Sequence, residues 1–304
     1  MMSIQPFVLA ALGAAVFSAV AFLLTKHLLK NLLKDAFVFI FYHNLFSGSL
    51  GVLLWVIVGL SLPDRSTMGI VFAISLLAFV GFLFNYVAFE KGDISTTGPL
   101  MGLKIPFVAL CSFLIMGERH EGLVYVGVLL SMVSIALLSW EDRSQARSRP
   151  ALGAAVLLMT LATVLYAIAD TFVMVVLTRM GSFHFTSYFL IFQALFSWFV
   201  YPFIRNRPAM KLTLRVSGYF VVLACLTMAS SMLFFLSIKT GGNVTIPNIL
   251  LSSRGVLVVL ATFGLAHLAK NPMLESQSRH TYAVRLVGAA MMSVAVALVV
   301  GIVH

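Results

Sequence analysis

Lys104, Arg254 and Asp170 stand inside long apolar runs of a 304-residue sequence. An ion at the centre of a hydrocarbon layer costs roughly 2.5–3.5 kcal/mol on insertion scales, so such residues face one another, a wet interior or a ligand. Lys104 and Arg254 lie about eight to ten residues into their runs, too deep to snorkel to an interface. Asp170 is the one acid at comparable depth, and its expected role is to pair with and neutralise Arg254. Two cations against one acid leave a positive charge over. A carboxylate or phosphate on a bound solute would supply the missing counter-charge, with arginine offering a bidentate fork and lysine a point charge. The alternative is that the charges are purely structural.

Polar side chains recur around these charges at helical spacing: Tyr42, His43 and Asn44; Asn85 and Tyr86; Tyr188 and Gln193; Asn248, Ser252 and Ser253. Together with Lys104 and Arg254 they form, Ser252 apart, the expected substrate-binding set. The competing reading of each is an ordinary hydrogen bond between helices, worth about 0.6 kcal/mol. His43 has the type for a proton relay near neutrality, or for a simply hydrogen-bonded buried ring. Glu90, beside Lys91 and Asp93, reads as a solvated interface residue. Pro106 and Pro247 are expected either to kink their runs and open backbone carbonyls, or to be tolerated packing.

No catalytic pattern accompanies these residues. His-Glu-x-x-His, Gly-x-Ser-x-Gly, a P-loop and an acidic cluster are all missing from the sequence, so no catalytic residue, metal site or cofactor is expected. Cys111 and Cys225 each sit in an apolar run and support neither a disulfide framework nor a metal site.

The elements that must position these residues are membrane helices. The chain is 61% hydrophobic and 10% charged, against about 45–50% and 25% for a soluble domain. Its apolar residues fall in runs of about 20, the length that crosses a bilayer core. These runs cover roughly 5–25, 37–61, 68–89, 95–117, 122–140, 151–178, 183–204, 216–238, 245–268 and 281–302. The expected fold is therefore all-α and integral to a membrane, with about ten spans. The first run carries no Lys or Arg before it and is too long for a signal-peptide core, so it reads as a retained span. The net charge of +10 belongs to short connections between the runs and not to a nucleic-acid surface.

The chain also looks duplicated. Ala-Leu-Gly-Ala-Ala-Val occurs at Ala11–Val16 and again at Ala151–Val156. Val126-Gly127 with Ala136-Leu137 is answered by Val287-Gly288 with Ala297-Leu298 at the same spacing. The expected organisation is a first five-helix repeat over 1–140, a polar linker over 141–150 and a second repeat over 151–304. Five is odd, so the second repeat must be inverted relative to the first, with a central cavity between them.

The passage Ala88-Phe-Glu-Lys-Gly-Asp-Ile-Ser-Thr-Thr-Gly-Pro-Leu-Met-Gly-Leu-Lys-Ile-Pro106, continuing to Gly117-Glu118-Arg119, resembles the drug/metabolite transporter superfamily and in particular its ten-span EamA-type members. The second half departs from that pattern, since Gly255 stands where the proline would be and no Gly-Glu follows. Phe41-Tyr42-His43-Asn44 and Gly102-Leu103-Lys104-Ile105-Pro106 are similar to motifs of nucleotide-sugar transporters, although in that family they lie in the second half. The resemblance implies a multi-pass protein of an inner or plasma membrane that exports or exchanges a small polar metabolite, an amino acid by default, by alternating access. An exchanger of an anionic phosphate- or nucleotide-bearing solute is the second reading. A membrane-embedded enzyme or lipid scramblase is a third, disfavoured by the missing acid or histidine cluster. The expected partners are a small-molecule substrate and membrane lipid, with no nucleic acid, and monomer and homodimer both stay open.

Orientation follows from charge. The odd-numbered connections, with Arg285 near the start of the last run counted to the ninth, hold fourteen Lys and Arg, and the even ones only Arg65, Arg119, Arg179 and Lys239. Basic connections stay in the cytoplasm, which places both termini outside it. A C-terminal reporter active only in the cytoplasm is therefore expected to stay dark, and a bright signal would reverse the orientation.

Overall fold

The computed structural model describes residues 5–33, 35–91, 98–138, 149–204, 212–269 and 279–302, and among these every regular element is helical. We number the α-helices in chain order. Helix α1, Pro6–His27, continues into a π-helical turn at Leu28–Leu33. Helices α2 (Ala36–Val58) and α3 (Arg65–Lys91) follow. A 3₁₀ segment, Gly98–Leu103, leads into α4 (Lys104–Met116), and α5 is Gly122–Leu138. The second half holds α6 (Arg149–Leu177), α7 (Ser182–Ser197) with a 3₁₀ extension at Trp198–Phe203, and α8 (Leu214–Gly241). It closes with α9 (Thr245–Ser252), α10 (Arg254–Ala269) and α11 (Arg279–Ile302). Most of the expected 141–150 linker lies outside the described residues, and α6 already begins at Arg149.

Seven of these stretches are long and apolar enough to cross a membrane: Pro6–Leu33, Ala36–Val58, Arg65–Ala88, Gly153–Leu177, Ser182–Phe203, Leu214–Gly241 and Ala283–Gly301. Three shorter apolar stretches accompany them, Leu100–Met116, Gly122–Leu138 and Thr245–Ala261. The protein is an all-helical integral membrane protein. Its outer surface agrees with that solvent: Leu114 is 69% exposed, Leu286 65% and Leu157 60%, while Ala11, Ala14, Ala15 and Ala162 are fully buried. Large apolar side chains face out as well as in, Phe39, Phe185 and Phe220 being fully buried, and small alanines stand at helix contacts, because lipid gives helices no hydrophobic reason to associate and close backbone approach must supply the attraction.

Aspartates cap two of the helix starts. Asp35 caps α2, its Oδ1 accepting from the backbone N–H of Phe37 at 2.9 Å and Val38 at 3.2 Å. Asp64 does the same for α3, with Thr67 N–H at 3.0 Å and the Thr67 hydroxyl at 2.6 Å. Such caps satisfy donors that lipid or an interface would leave bare.

The two proline-bearing spans depart from expectation. Each is split into two pieces, but neither proline makes the break. Pro106 and Pro247 are the third residues of α4 and α9, in the first turn, where a missing N–H costs no intrahelical bond. The breaks fall where 3₁₀ geometry gives way to α4 at Leu103 and at Ser253 between α9 and α10. Lys104 and Arg254 are thus the first residues of the second pieces.

The most extensive packing pairs are α3 with α6, α1 with α8, α2 with α7 and α5 with α11. The broken spans lie against the first helix of the opposite half, α4 on α6 and α9 and α10 on α1. Side-chain hydrogen bonds pin these pairs. Ser237 Oγ donates to the Phe7 carbonyl at 2.8 Å, Ser230 Oγ to that of Ala14 at 2.9 Å, and Ser134 Oγ to that of Gly288 at 2.6 Å. The α2–α7 seam is the closest: a Cβ at Gly48 would lie 2.2 Å from the Ala194 Cβ, and one at Gly51 2.9 Å from the Leu190 Cβ. Overpacking of this kind typically costs about 1–3 kcal/mol. Gly48→Ala is expected to lower the thermal midpoint of the purified protein, and Ala194→Gly in the same chain to restore part of it. An unchanged midpoint in the single variant would mean that the seam is not close-packed.

Candidate functional site

Helix α6 carries the centre of the site. Tyr166 and Asp170 are four residues apart and so project from one face of it. Helix α4 packs on α6 and brings Lys104 Nζ to 2.7 Å from Asp170 Oδ2, with the two side chains 23% and 13% exposed. The same ammonium lies 5.9 Å from the Tyr166 ring centre and 5.6 Å from that of Phe234 on α8. Two aromatic faces and a carboxylate therefore surround it, the arrangement that favours a cation both electrostatically and through ring quadrupoles.

This corrects one sequence-based expectation. The ion-pair partner of Asp170 is Lys104 and not Arg254. The reason is topological, because each broken span delivers its cation to the helix on which it packs. For α4 that helix is α6, with its aspartate. For α10 it is α1, where Arg254 Nη1 donates to Ser18 Oγ at 3.1 Å.

Arg254 lies near Tyr166, Tyr86 and Asp170. The Tyr166 hydroxyl lies beside the Asn85 side chain, and that of Tyr86 beside Thr25 of α1. The cluster holds two cations and one carboxylate. Among the described residues, no carboxylate lies within ion-pair distance of Arg254, whose polar contact is a neutral hydroxyl.

The rest of the expected set divides in two. On α2, His43 is 5% exposed and stacked between Phe39 and Phe82, at centroid distances of 5.5 and 5.7 Å with planes within 7° and 10°. No hydrogen-bond partner reaches His43 Nδ1 or Asn44 Nδ2 among the described residues. Tyr42 packs against the rings of Phe41 and Phe220. The remaining groups are used by the fold. Tyr188 donates its hydroxyl to the Ser61 carbonyl, and Gln193 Nε2 donates to the Ser75 carbonyl at 2.9 Å, tying α7 to α3. Asn248 Nδ2, Ser252 Oγ and Ser253 Oγ donate to carbonyls of Val244, Asn248 and Leu250 at 3.0, 2.8 and 2.7 Å, around the break in span nine. The side chains of Glu90 and Lys91 lie outside the described residues, as does all of Asp93.

Tyr166, Phe234 and Ser18 were not marked by sequence. Tyr166 had a usable signal, its position one turn before a buried acid on the same face. Ser18 and Phe234 had none, since serines and phenylalanines are scattered through the apolar runs.

Residues 5–140 match the model of the EamA-like transporter family. A solved structure described as "Crystal structure of protein" superposes with a TM-score of 0.72 at 15% identity, covering 98% of this chain and 99% of that one; at this identity the likeness is one of fold. No curated protein matches by sequence.

Removing one member of a buried pair costs about 3–5 kcal/mol, less where the pair is only partly buried, as at Lys104. Asp170→Asn is expected to lower the thermal midpoint of the purified protein, and Lys104→Gln in the same chain to recover part of the loss. Recovery by Arg254→Gln instead would reassign the pair.

Proposed function

We propose, from the match of residues 5–140 to the EamA-like transporter family model, that the chain is a secondary transporter that moves a small polar metabolite with an anionic group across a cell's inner or plasma membrane. An amino acid is the default solute. The observation that carries this reading is Arg254, a cation deep in a span with a hydroxyl but no carboxylate among its contacts in the described residues. A substrate carboxylate placed there neutralises the residual charge of the cluster.

The packing pattern supports alternating access. The three shorter helical stretches complete ten spans, with the two pieces of each broken span counted as one. Adding five to each span then maps the pairs one with eight, three with six, two with seven and five with ten onto one another. Two five-span halves related in this way and inverted can rock against each other around the broken spans, exposing the central charges to each side in turn. Transport then runs as export or exchange through the cavity between the halves, with no nucleotide hydrolysed by this chain.

The test is solute binding and uptake by protein reconstituted in liposomes, screened with amino acids, sugar phosphates and nucleotide sugars. A hydrogen bond to a charged group contributes about 1.5–3 kcal/mol, roughly ten- to more than a hundredfold in affinity. Arg254→Gln is expected to weaken the stabilising solute by that factor while the protein still folds and inserts. Arg254→Lys is expected to lose less unless the contact is a bidentate fork. Normal transport by Arg254→Gln would make Arg254 structural and defeat the proposal.

A further inference from the structure

Lys104 has a place of unusual chemistry for a tethered side chain. Its ammonium is held by a carboxylate oxygen at 2.7 Å and by two ring faces at 5.6 and 5.9 Å. Aromatic ring faces attract cations, and aromatic cages are a recurrent means by which proteins bind substituted ammonium ligands. Here the cage is filled by the chain itself. Arg254 lies near Tyr166 and Asp170 and donates to Ser18 Oγ at 3.1 Å. A cation subsite and a candidate anion subsite are therefore neighbours.

We propose that the Asp170–Tyr166–Phe234 cage is the subsite for a primary ammonium group of the substrate, and that Lys104 is its tethered competitor. A zwitterion exchanges the pairing without changing the charge of the cluster. Its ammonium takes Asp170, and its carboxylate takes Arg254 together with the displaced Lys104. No charge is left bare at any stage, because Lys104 gives up one carboxylate only as another arrives. A simple amine brings no carboxylate and has to leave Lys104 unpaired. A simple carboxylate must be held by Arg254 alone while Asp170 stays occupied. The device thus selects solutes that carry both charges a few bonds apart. The zwitterion part rests on the reading of Arg254 as a carboxylate ligand, whereas the cage stands on its own geometry.

The experiment empties the cage and offers it a free ammonium. In Lys104→Ala, ethylammonium is expected to raise the thermal midpoint saturably, where sodium chloride at equal ionic strength does not. In the wild type, with the competitor in place, the apparent affinity is expected to be at least about tenfold weaker, the equivalent of about 1.4 kcal/mol. In Lys104→Ala combined with Asp170→Asn the effect is expected to vanish. Lys104→Gln, which keeps most of the side-chain stem, is measured alongside and is expected to show the same order should the alanine variant not fold. The absence of saturable stabilisation in the folded single variants, equal affinity in the wild type, or persistence in the double variant overturns the cage. Butyrate provides the separate control, since its binding depends on Arg254 and not on Asp170. Ethylammonium rescue with butyrate insensitive to Arg254→Gln leaves the cage standing and removes the carboxylate reading, and the reverse pattern does the opposite.

Discussion

A carboxylate and an ammonium can sit together among apolar helices because each removes the other's need for water. The Lys104–Asp170 contact is that arrangement, and the centre of the molecule is built around it. It fixes α4 against α6, and α6 in turn carries Tyr166 towards Arg254 and α10. Buried pairs of this kind seldom add much stability over apolar residues of the same volume, since the desolvation of two ions offsets most of their attraction.

Both cations follow a change of helix geometry. At Leu103 and Ser253 the backbone stays right-handed, and around Ser253 the N–H groups of Ser253 and Val256 are bonded to the carbonyls of Leu250 and Ser253, so the charge presented at these junctions is that of the Lys104 and Arg254 side chains. Altered backbone geometry at this depth is tolerable where protein encloses it. The broken spans meet this condition by lying against α6 and α1, the first helices of the opposite halves.

The outer pairs supply the frame. Glycine and alanine along α2 and α7, and serine hydroxyls donating to carbonyls between α1 and α8 and between α5 and α11, let backbones approach more closely than leucine would permit. Packing and short hydrogen bonds of this sort remain when the solvent is lipid and the hydrophobic effect no longer distinguishes one helix from another. The residues expected to line a binding surface but used instead in such bonds, Gln193 above all, belong to this frame.

Composition and run length were enough to establish a helical membrane protein, because the bilayer imposes one length and one polarity on every span. Insertion cost alone marked Lys104, Arg254 and Asp170, since a deep charge is conspicuous wherever it falls in a sequence. Sequence could not say which cation meets the acid. Both lie at similar depth, and the choice depends on which helix each broken span packs against, a relation between segments far apart in the chain. For the same reason it could not locate the breaks. Proline announced a disturbed helix but fell in first turns, where it costs nothing, while the interruptions came at Leu103 and Ser253, residues with no local signature. Tyr166 and Phe234 became part of the site only through the approach of α6 and α8 to Lys104, because an aromatic ring in a lipid-soluble chain acquires a specific role only from its neighbour.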